Sequence, residues 1–169
     1  MSWPRDIHDV LTRFGVSQVC YVPDSGHMEL IRIAHEDPAM TAIPLTTEEE
    51  GIAILGGAWL GGARGVLLMQ SSGVGNCINM LSLVKSCSFP FLTLITMRGE
   101  WGEFNPWQVP MGSATETVLK AMDLHVMRTS EPDEVKPTVT AAASMAFEGG
   151  AACAVLLSQR LIGAKDFAK

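Results

Sequence analysis

The sequence lacks a pair of cysteines at the spacing of a zinc or redox site. Its four cysteines, Cys20, Cys77, Cys87 and Cys153, include no C-x-x-C pair. Their neighbours are apolar, and Cys153 stands inside "AACAVLL". This pattern favours free, buried thiols in a reducing compartment, so we expect a cytoplasmic protein.

The sequence also lacks a basic run and a long uninterrupted apolar run. Lys and Arg number 12 against 18 Asp and Glu, which gives a net charge of −6 and disfavours nucleic-acid binding. The apolar segment 51–62 is too short to cross a bilayer, so no membrane association is expected. The first residues, "MSWPRDIHDVLTRFG", have the pattern of a polar-faced helix and not of a signal peptide.

Several common catalytic and nucleotide-binding motifs are missing. "GVGNCI" begins like a dinucleotide fingerprint, but Ile78 stands where the third glycine belongs, and the sequence has no P-loop. Ser71 and Ser72 do not lie in a Gly-x-Ser-x-Gly elbow. The four histidines do not have the spacing of metal ligands, so we expect no metal site formed by this chain alone.

What the sequence does contain is an alternation of strand-like and helix-like segments. Strand-like runs such as "GVLLMQSS" and "FPFLTLITMRG" are almost continuously apolar, which is typical of a sheet covered on both faces. We therefore predict one α/β domain over residues 1–169. It would be doubly wound, with a mostly parallel sheet of five or six strands and helices on both faces.

Ligands of such sheets bind beyond the carboxyl ends of the strands. Four segments follow predicted strands and are therefore candidate site loops: 23–27, 46–50, 70–76 and 98–111. "GVGNCINMLSLVKSCS" is predicted as a glycine loop that leads into a helix, and "AACAVLLSQRLIG" as the last strand.

Three consecutive glutamates, Glu48 to Glu50, precede an apolar helix. Thr47-x-x-Glu50 matches a capping box, and acidic residues in a first turn suit the helix dipole, so a structural role alone explains the run. However, the helix "GIAILGGAWL" has no polar face and must be covered almost all round by protein or a partner. A carboxylate that shares a face with such residues is a candidate proton carrier.

The segments "TTEEEGIAILGGAWLGG" and "GVLLMQSSGVGNCINML" resemble the pyrimidine-binding domain of thiamine-diphosphate-dependent 2-oxo acid decarboxylases. The resemblance is strongest to the sulfopyruvate and phosphonopyruvate decarboxylases. It extends to "YVPDSGHMELI" and "LITMRGEWGE" and covers roughly residues 16–127, with "MQSSGVGN" as its most specific motif.

The resemblance implies that one glutamate contacts the N1′ nitrogen of the thiamine aminopyrimidine. Family members have this glutamate three residues before a small residue and nine before a glycine, which selects Glu48, followed by Gly51 and Gly57. Glu48 would then be the catalytic proton carrier, and Glu49 and Glu50 would be the capping and surface members of the run.

The other site residues are also implied by the resemblance. The expected cofactor-binding residues, besides Glu48, are Gln70, Ser72 and Gly73; the expected substrate-side residues are Asp24, Ser25, His27, Ser71 and Arg98. Structural explanations compete for several of them. An Asx-type bend explains Asp24 and Ser25 as well, and an intersubunit salt bridge would equally explain Arg98.

Family members bind diphosphate and Mg²⁺ through a Gly-Asp-Gly stretch, which this sequence does not contain. The resemblance therefore implies one subunit of a split enzyme, similar to a sulfopyruvate decarboxylase alpha subunit. Its partner would be a diphosphate-binding beta subunit that holds most of the thiamine diphosphate and Mg²⁺. At least a homodimer, and a hetero-oligomer with the beta subunit, is expected.

Alternatives remain for the substrate and for the function. Ser71 replaces the asparagine that family members often have in "MQNSG", and "WGEFNPWQVP" brings three aromatic residues near the expected site. These residues would form either an apolar substrate pocket or a subunit contact. The substrate is thus sulfopyruvate, phosphonopyruvate or another 2-oxo acid. The rival function is a non-catalytic scaffold or regulatory subunit.

Overall fold

A computed structural model describes residues 2–163 of the chain. The described strands are Val16–Tyr21 (β1), Thr41–Pro44 (β2), Arg64–Gln70 (β3), Phe91–Thr96 (β4), His125–Thr129 (β5) and Ala152–Leu157 (β6). The described α-helices are Trp3–Arg13 (α1), Met28–Glu36 (α2), Glu48–Leu60 (α3), Ser71–Cys77 (α4), Ser82–Cys87 (α5), Val109–Ala121 (α6), Pro132–Phe147 (α7) and Gln159–Ile162 (α8). A short 3₁₀ helix covers Pro106–Gln108.

All six strands form one parallel sheet in the order β2-β1-β3-β4-β6-β5. The chain runs from β1 to the edge strand β2 and then returns to pair β3 with the other side of β1. The strand order therefore reverses between β1 and β3, which makes their carboxyl ends the expected ligand crevice. The predicted doubly wound α/β fold is confirmed.

Side chains that alternate along the strands build two cores, one on each face of the sheet. In β3, Val66 and Leu68 belong to the core that also contains residues of α1, α2 and α7. Leu67 and Met69 belong to the opposite core, with residues of α3, α4, α5 and α6. Because successive strand residues point to opposite faces, an apolar run of this kind is what a sheet covered on both sides requires.

Helix α3 packs one side onto the sheet and leaves the other exposed. Ile52 and Leu55 are buried, whereas Leu60 is 90% exposed and Ala53 and Gly57 are exposed as well. In this chain alone, the expected burial all round the helix is therefore incomplete, and the uncovered side is apolar.

The main differences from the sequence prediction lie at the junctions between elements. Strand β3 ends at Gln70 and α4 begins at Ser71 with no glycine loop between them. Serine and glycine are weak helix formers, so local propensity favoured a loop, but tertiary packing of α4 overrides it. The last predicted strand ends at Leu157, where Ser158 caps α8 by accepting a hydrogen bond from the Arg160 amide at 3.3 Å.

Among residues 2–163, no helix is both long enough and apolar enough to span a membrane.

Candidate functional site

Glu48 is the first residue of α3 and lies at the carboxyl edge of the sheet. The residue is only 9% exposed, and its Oε2 accepts a hydrogen bond from the side-chain amide of Asn76 at 2.9 Å. The carboxylate therefore points across to α4 and does not fold back onto its own helix. A carboxylate that contacts groups outside its own helix must have this orientation.

The helix cap is made differently from the predicted capping box. The Thr47 hydroxyl caps no amide and, within the described residues, has no hydrogen-bond partner although it is buried. Glu50 reaches back to the backbone amide of Thr46, at 2.9 Å, and not to that of Thr47. The prediction of a capping box was wrong, because Glu50 bonds one residue before the N-cap; Glu50 is exposed, as a surface member of the run should be.

Gly73 provides the space that the Glu48 carboxylate occupies. A Cβ atom on Gly73 would lie 2.6 Å from Glu48 Cγ and closer still to the carboxylate. Real Cβ atoms do not approach heavy atoms this closely, so any larger residue at position 73 would displace Glu48. A glycine in the middle of a short helix is unfavourable by about 1 kcal/mol relative to alanine, and this contact explains its presence.

Asp24 connects the carboxyl ends of three strands. Its Oδ1 accepts a hydrogen bond from the Gln70 side-chain amide at 3.0 Å, and its Oδ2 accepts one from the Thr96 hydroxyl at 2.7 Å. The backbone amide of Gly26 also donates to Oδ2, at 3.0 Å, which confirms the Asx-type bend. The Ser72 hydroxyl extends the network by donating to Gln70 Oε1 at 2.7 Å.

His27 is completely buried below this network. Its Nε2 lies 3.0 Å from the carbonyl oxygen of Leu94, which can only accept, so Nε2 carries the hydrogen. Burial lowers the pKa of His27, and Asp24 and backbone carbonyls only partly oppose that effect. His27 therefore secures the 23–27 segment to β4 as a neutral imidazole, in a position that a substrate does not reach in this chain.

Ser25, in contrast, is exposed and lines an open cavity of about 440 Å³. The other lining residues are Tyr21, Pro23, Asp24, Met28 and Ile31. Of the residues predicted in the 23–27 segment, Asp24 and Ser25 thus border space that a small molecule could enter.

Arg98 is engaged by a carboxylate of its own chain. Its Nε and Nη2 donate to the two oxygens of Glu103, both at 2.6 Å, and the side chains are only 7% and 3% exposed. The Arg98 hydrogen bonds, followed by backbone amides and Gln159, lower the pKa of Glu103 to about 2. Arg98 thus forms an ion pair within its own chain. The sequence alone predicted either a substrate contact or an intersubunit salt bridge for this residue.

Gln159 joins Arg98 and Glu103 in a buried hydrogen-bonded group, which we call the Arg98 clasp. The sequence prediction missed Gln159. Its Nε2 donates to Glu103 Oε2 at 3.0 Å, and its Oε1 accepts from the amides of Glu100 and Trp101 at 3.1 and 3.0 Å. Gln159 was placed within the predicted last strand, where nothing in the local pattern marks it. Its role is visible only once the end of β6 lies beside the end of β4.

Three predicted residues meet on α4. Ser72 joins the Asp24 network, Gly73 faces Glu48, and Ser71 is buried with its hydroxyl accepting from the Arg98 amide at 3.1 Å. Helix α4 therefore links the Asp24 network, the Glu48 carboxylate and the Arg98 clasp. The structure brings the predicted site residues to one edge of the sheet, but gives Ser71, His27 and Arg98 partners inside the protein.

The aromatic segment that follows Arg98 is exposed. Trp101, Phe104 and Trp107 are 44%, 55% and 83% exposed, and Gly99 and Gly102 have positive φ angles that shape the segment. A surface of this kind suits contact with another molecule better than burial inside this chain.

Comparisons with known proteins agree on the family and the fold. The chain is 34% identical over 158 residues to the sulfopyruvate decarboxylase subunit alpha of Methanococcus maripaludis, covering 93% of this chain and 95% of that protein. The subunit alpha of Methanocaldococcus jannaschii is also 34% identical, over 84% of this chain and 85% of its own length. Phosphonopyruvate decarboxylase of Streptomyces viridochromogenes is 37% identical over 73% of this chain but only 32% of its own length. No family model matches.

Among solved structures, the fold resembles a 2-oxoglutarate:ferredoxin oxidoreductase from Magnetococcus marinus, with a TM-score of 0.72. The match covers 96% of this chain and 29% of the oxidoreductase chain at 12% identity, so it concerns the fold alone.

Replacing Gly73 by alanine should displace Glu48 without unfolding the protein. Alanine favours the helix by about 1 kcal/mol, but its methyl group would force the carboxylate away from Asn76. Gly57→Ala is the matched control, because a Cβ there meets open space. We expect urea unfolding to show a gain of about 0.5–1 kcal/mol for Gly57→Ala and a smaller gain or a loss for Gly73→Ala. A crystal structure of Gly73→Ala with Glu48 unmoved would contradict this.

Breaking the Arg98–Glu103 clasp should be costly. Glu103→Gln leaves a buried guanidinium without a counter-charge, so we expect a loss of about 3–5 kcal/mol in the free energy of unfolding at pH 7. The control is Glu116→Gln, whose more exposed pair with Lys120 should contribute less than about 1 kcal/mol.

The same clasp has a defined pH dependence. Because the folded pKa of Glu103 is about 2 against an ordinary value of 4.5, the carboxylate contributes its full stability above about pH 4.5. That contribution is lost as the pH falls through 2. The difference in stability between the parent chain and Glu103→Gln should therefore shrink between pH 4.5 and 2, and a difference that stays constant would disprove the assignment.

Proposed function

We propose that this chain, which belongs to the family of sulfopyruvate decarboxylase alpha subunits, is the pyrimidine-binding subunit of a split thiamine-diphosphate-dependent decarboxylase. The proposed reaction converts sulfopyruvate to sulfoacetaldehyde and CO₂. The observation that carries the proposal is the position of Glu48, which is buried, turned away from its own helix and accommodated by a glycine.

The position of Glu48 argues against a purely structural role for the glutamate run. A glutamate retained only to cap α3 would bond to backbone amides at the start of that helix, as Glu50 does. Glu48 instead bonds to a side chain on another helix and is largely removed from water. Burying a carboxylate costs free energy, so its presence supports a chemical function more than a scaffold.

The residues present fit the aminopyrimidine half of thiamine diphosphate. Glu48 would bond to the ring nitrogen N1′, because a carboxylate there is a suitable partner for a nitrogen that gains and loses a proton. Gly73 leaves room for the carboxylate that would meet the ring, while Gln70 and Ser72 would hold the ring edge from the end of β3. When bound, thiamine diphosphate supplies the electron sink for loss of CO₂.

The protein's own contribution is proton handling in a place that excludes water. Glu48 would hold and return the proton at N1′, and its burial would keep that exchange away from solvent. The Asp24 network fixes Gln70 and the 23–27 segment at the switch point between β1 and β3.

The substrate is assigned from the relatives. The alpha subunits named for sulfopyruvate match over most of their length, which favours that 2-oxo acid. Phosphonopyruvate is the second candidate, supported by the 37% identity to phosphonopyruvate decarboxylase. Asp24 and Ser25 border the cavity beside β1, so we assign them to the substrate side. The hydrogen bonds that Arg98, His27 and Ser71 make inside the chain would hold the substrate-side segments in place.

The active site is proposed to lie between this chain and a diphosphate-binding beta subunit that also holds Mg²⁺. The name "subunit alpha" of the relatives supports a partner chain. The uncovered apolar side of α3, with Leu60 at its end, and the exposed Trp107 support a hetero-oligomer that contains at least two copies of this chain.

Substituting the three glutamates one at a time tests the catalytic assignment. In the reconstituted complex, Glu48→Gln should lower the decarboxylation rate by about 10²–10⁴-fold, because glutamine keeps the shape but cannot exchange the proton. Glu49→Gln and Glu50→Gln are the controls and should cost far less in rate, since Glu50 lies at the surface and glutamine can still accept from Thr46. Melting temperatures should confirm that all three variants fold. If no variant is impaired, the proposed function fails.

Cofactor binding tests the division between subunits. The full chain alone should bind thiamine diphosphate and Mg²⁺ weakly and decarboxylate no 2-oxo acid. The complex with a co-expressed chain that carries a Gly-Asp-Gly stretch should bind the cofactor tightly and turn over sulfopyruvate faster than phosphonopyruvate. Isothermal titration calorimetry and a CO₂-release assay measure both. Tight cofactor binding by the single chain would contradict the split-enzyme proposal.

A further inference from the structure

Asn76 bonds to the Glu48 carboxylate beside Gly73, from the same helix. Its side-chain nitrogen donates to Glu48 Oε2 at 2.9 Å, across 28 residues of sequence. An ionised carboxylate can only accept, so the amide must present its NH₂ group, and one of the two carboxylate oxygens is committed to it. The other oxygen, Oε1, lies over Gly73.

The spacing on α4 explains how one short helix provides both contacts. Gly73 and Asn76 are three residues apart and therefore lie on the same face of the helix. The glycine supplies room for Oε1, and the asparagine, itself exposed, supplies a donor to Oε2. Asn79, three residues further on, is exposed.

We propose that Asn76 is a positioning residue for the proton transfer assigned to Glu48. By engaging Oε2 it leaves Oε1, which lies over Gly73, as the oxygen that would meet N1′. This inference rests on the proposed function, since a positioned carboxylate matters only if it exchanges a proton.

The surroundings of Glu48 leave few other groups that would respond to pH. The elements packed against α3 are β1, β3, α4 and α5. Their titratable residues are Cys20, Tyr21, Arg64, Cys77, Lys85 and Cys87, beside Glu49 and Glu50 on α3 itself. Burial, and then Glu48 and Glu49, raise the pKa of Cys77 to about 12, and burial raises that of Cys20 to about 11. Both thiols therefore stay neutral, and carboxyl groups are the members of this set that ionise in the acid range.

The contact itself is tested on the full chain without cofactor, by a double-mutant cycle. Asn76→Asp places a second carboxylate beside Glu48, so the melting temperature at pH 7 should fall by about 2–4 °C. That loss should shrink at pH 4, where one carboxyl of the pair is protonated. In a Glu48→Gln background the pH-dependent loss should disappear. Asn79→Asp adds the same charge three residues away and should show no such dependence.

The role in proton transfer is tested in the reconstituted complex. Asn76→Ala should lower kcat about 10-fold with little change in KM for sulfopyruvate, because substrate contacts are untouched. Asn76→Asp should move the acid limb of the kcat profile to higher pH by about one unit, a shift that a loss of packing alone would not produce. Asn79→Asp should leave both the rate and the profile unchanged.

The outcomes separate this inference from the proposed function. An inactive Glu48→Gln together with Asn76 variants of parental rate and pH profile would overturn the role of Asn76 alone. A fully active Glu48→Gln would overturn the proposed function and the inference together. Absence of coupling between positions 48 and 76 in the melting cycle would show that the contact does not hold the carboxylate in solution.

Discussion

The buried carboxylate at the start of α3 depends on the helix that faces it. Glu48 fits against α4 only because position 73 has no side chain and position 76 has an amide. A negative charge removed from water needs a donor, and a side chain in a packed place needs room. Both needs are met by one face of a seven-residue helix. The helix begins directly at the end of β3, where Ser71 follows Gln70.

The same helix explains why the edge of the sheet behaves as one unit. Ser72 on α4 donates a hydrogen bond to Gln70, and Gln70 donates one to Asp24. Asp24 also accepts a hydrogen bond from Thr96 at the end of β4. The network lies where the strand order reverses, between β1 and β3, and this is the place where parallel sheets open a crevice. The side chains at this crevice are therefore already hydrogen-bonded to one another.

The Arg98 clasp changes what the chain offers to an anionic substrate. With Glu103 on its guanidinium and Gln159 behind Glu103, Arg98 stabilises the segment that carries Trp101 and its aromatic neighbours. Separating a buried arginine from a bidentate carboxylate costs much free energy. Arg98 therefore stabilises the segment and is not available to bind a ligand. The charge that recognises a sulfonate or phosphonate would then come from elsewhere in the assembled enzyme.

Much of this protein follows from the sequence because it depends on local patterns. The alternation of continuously apolar strands with helices determines a parallel, doubly wound sheet, since such strands must be covered on both faces. The glutamate run before an apolar helix, together with the family resemblance, determines that Glu48 lies at the carboxyl edge. Gln70, Ser72 and Gly73 come to the same edge because they follow β3.

Only the tertiary structure decided which partners these residues have. Local propensity predicted a loop for the segment at Gly73. In the structure the segment is helical, because it packs against Glu48 and the sheet core. Asn76 and Gln159 join the site through contacts that span 28 and 59 residues of sequence, and no local pattern records such distances. Glu103 lies only five residues after Arg98, but the fold decides that the two side chains face each other. His27 and Arg98 have residue types suited to catalysis, but whether they face a ligand or the interior depends on how separate strands come together. The sequence determined which residues come to the carboxyl edge of the sheet, and the fold determined which of them bond inside the chain and which border open space.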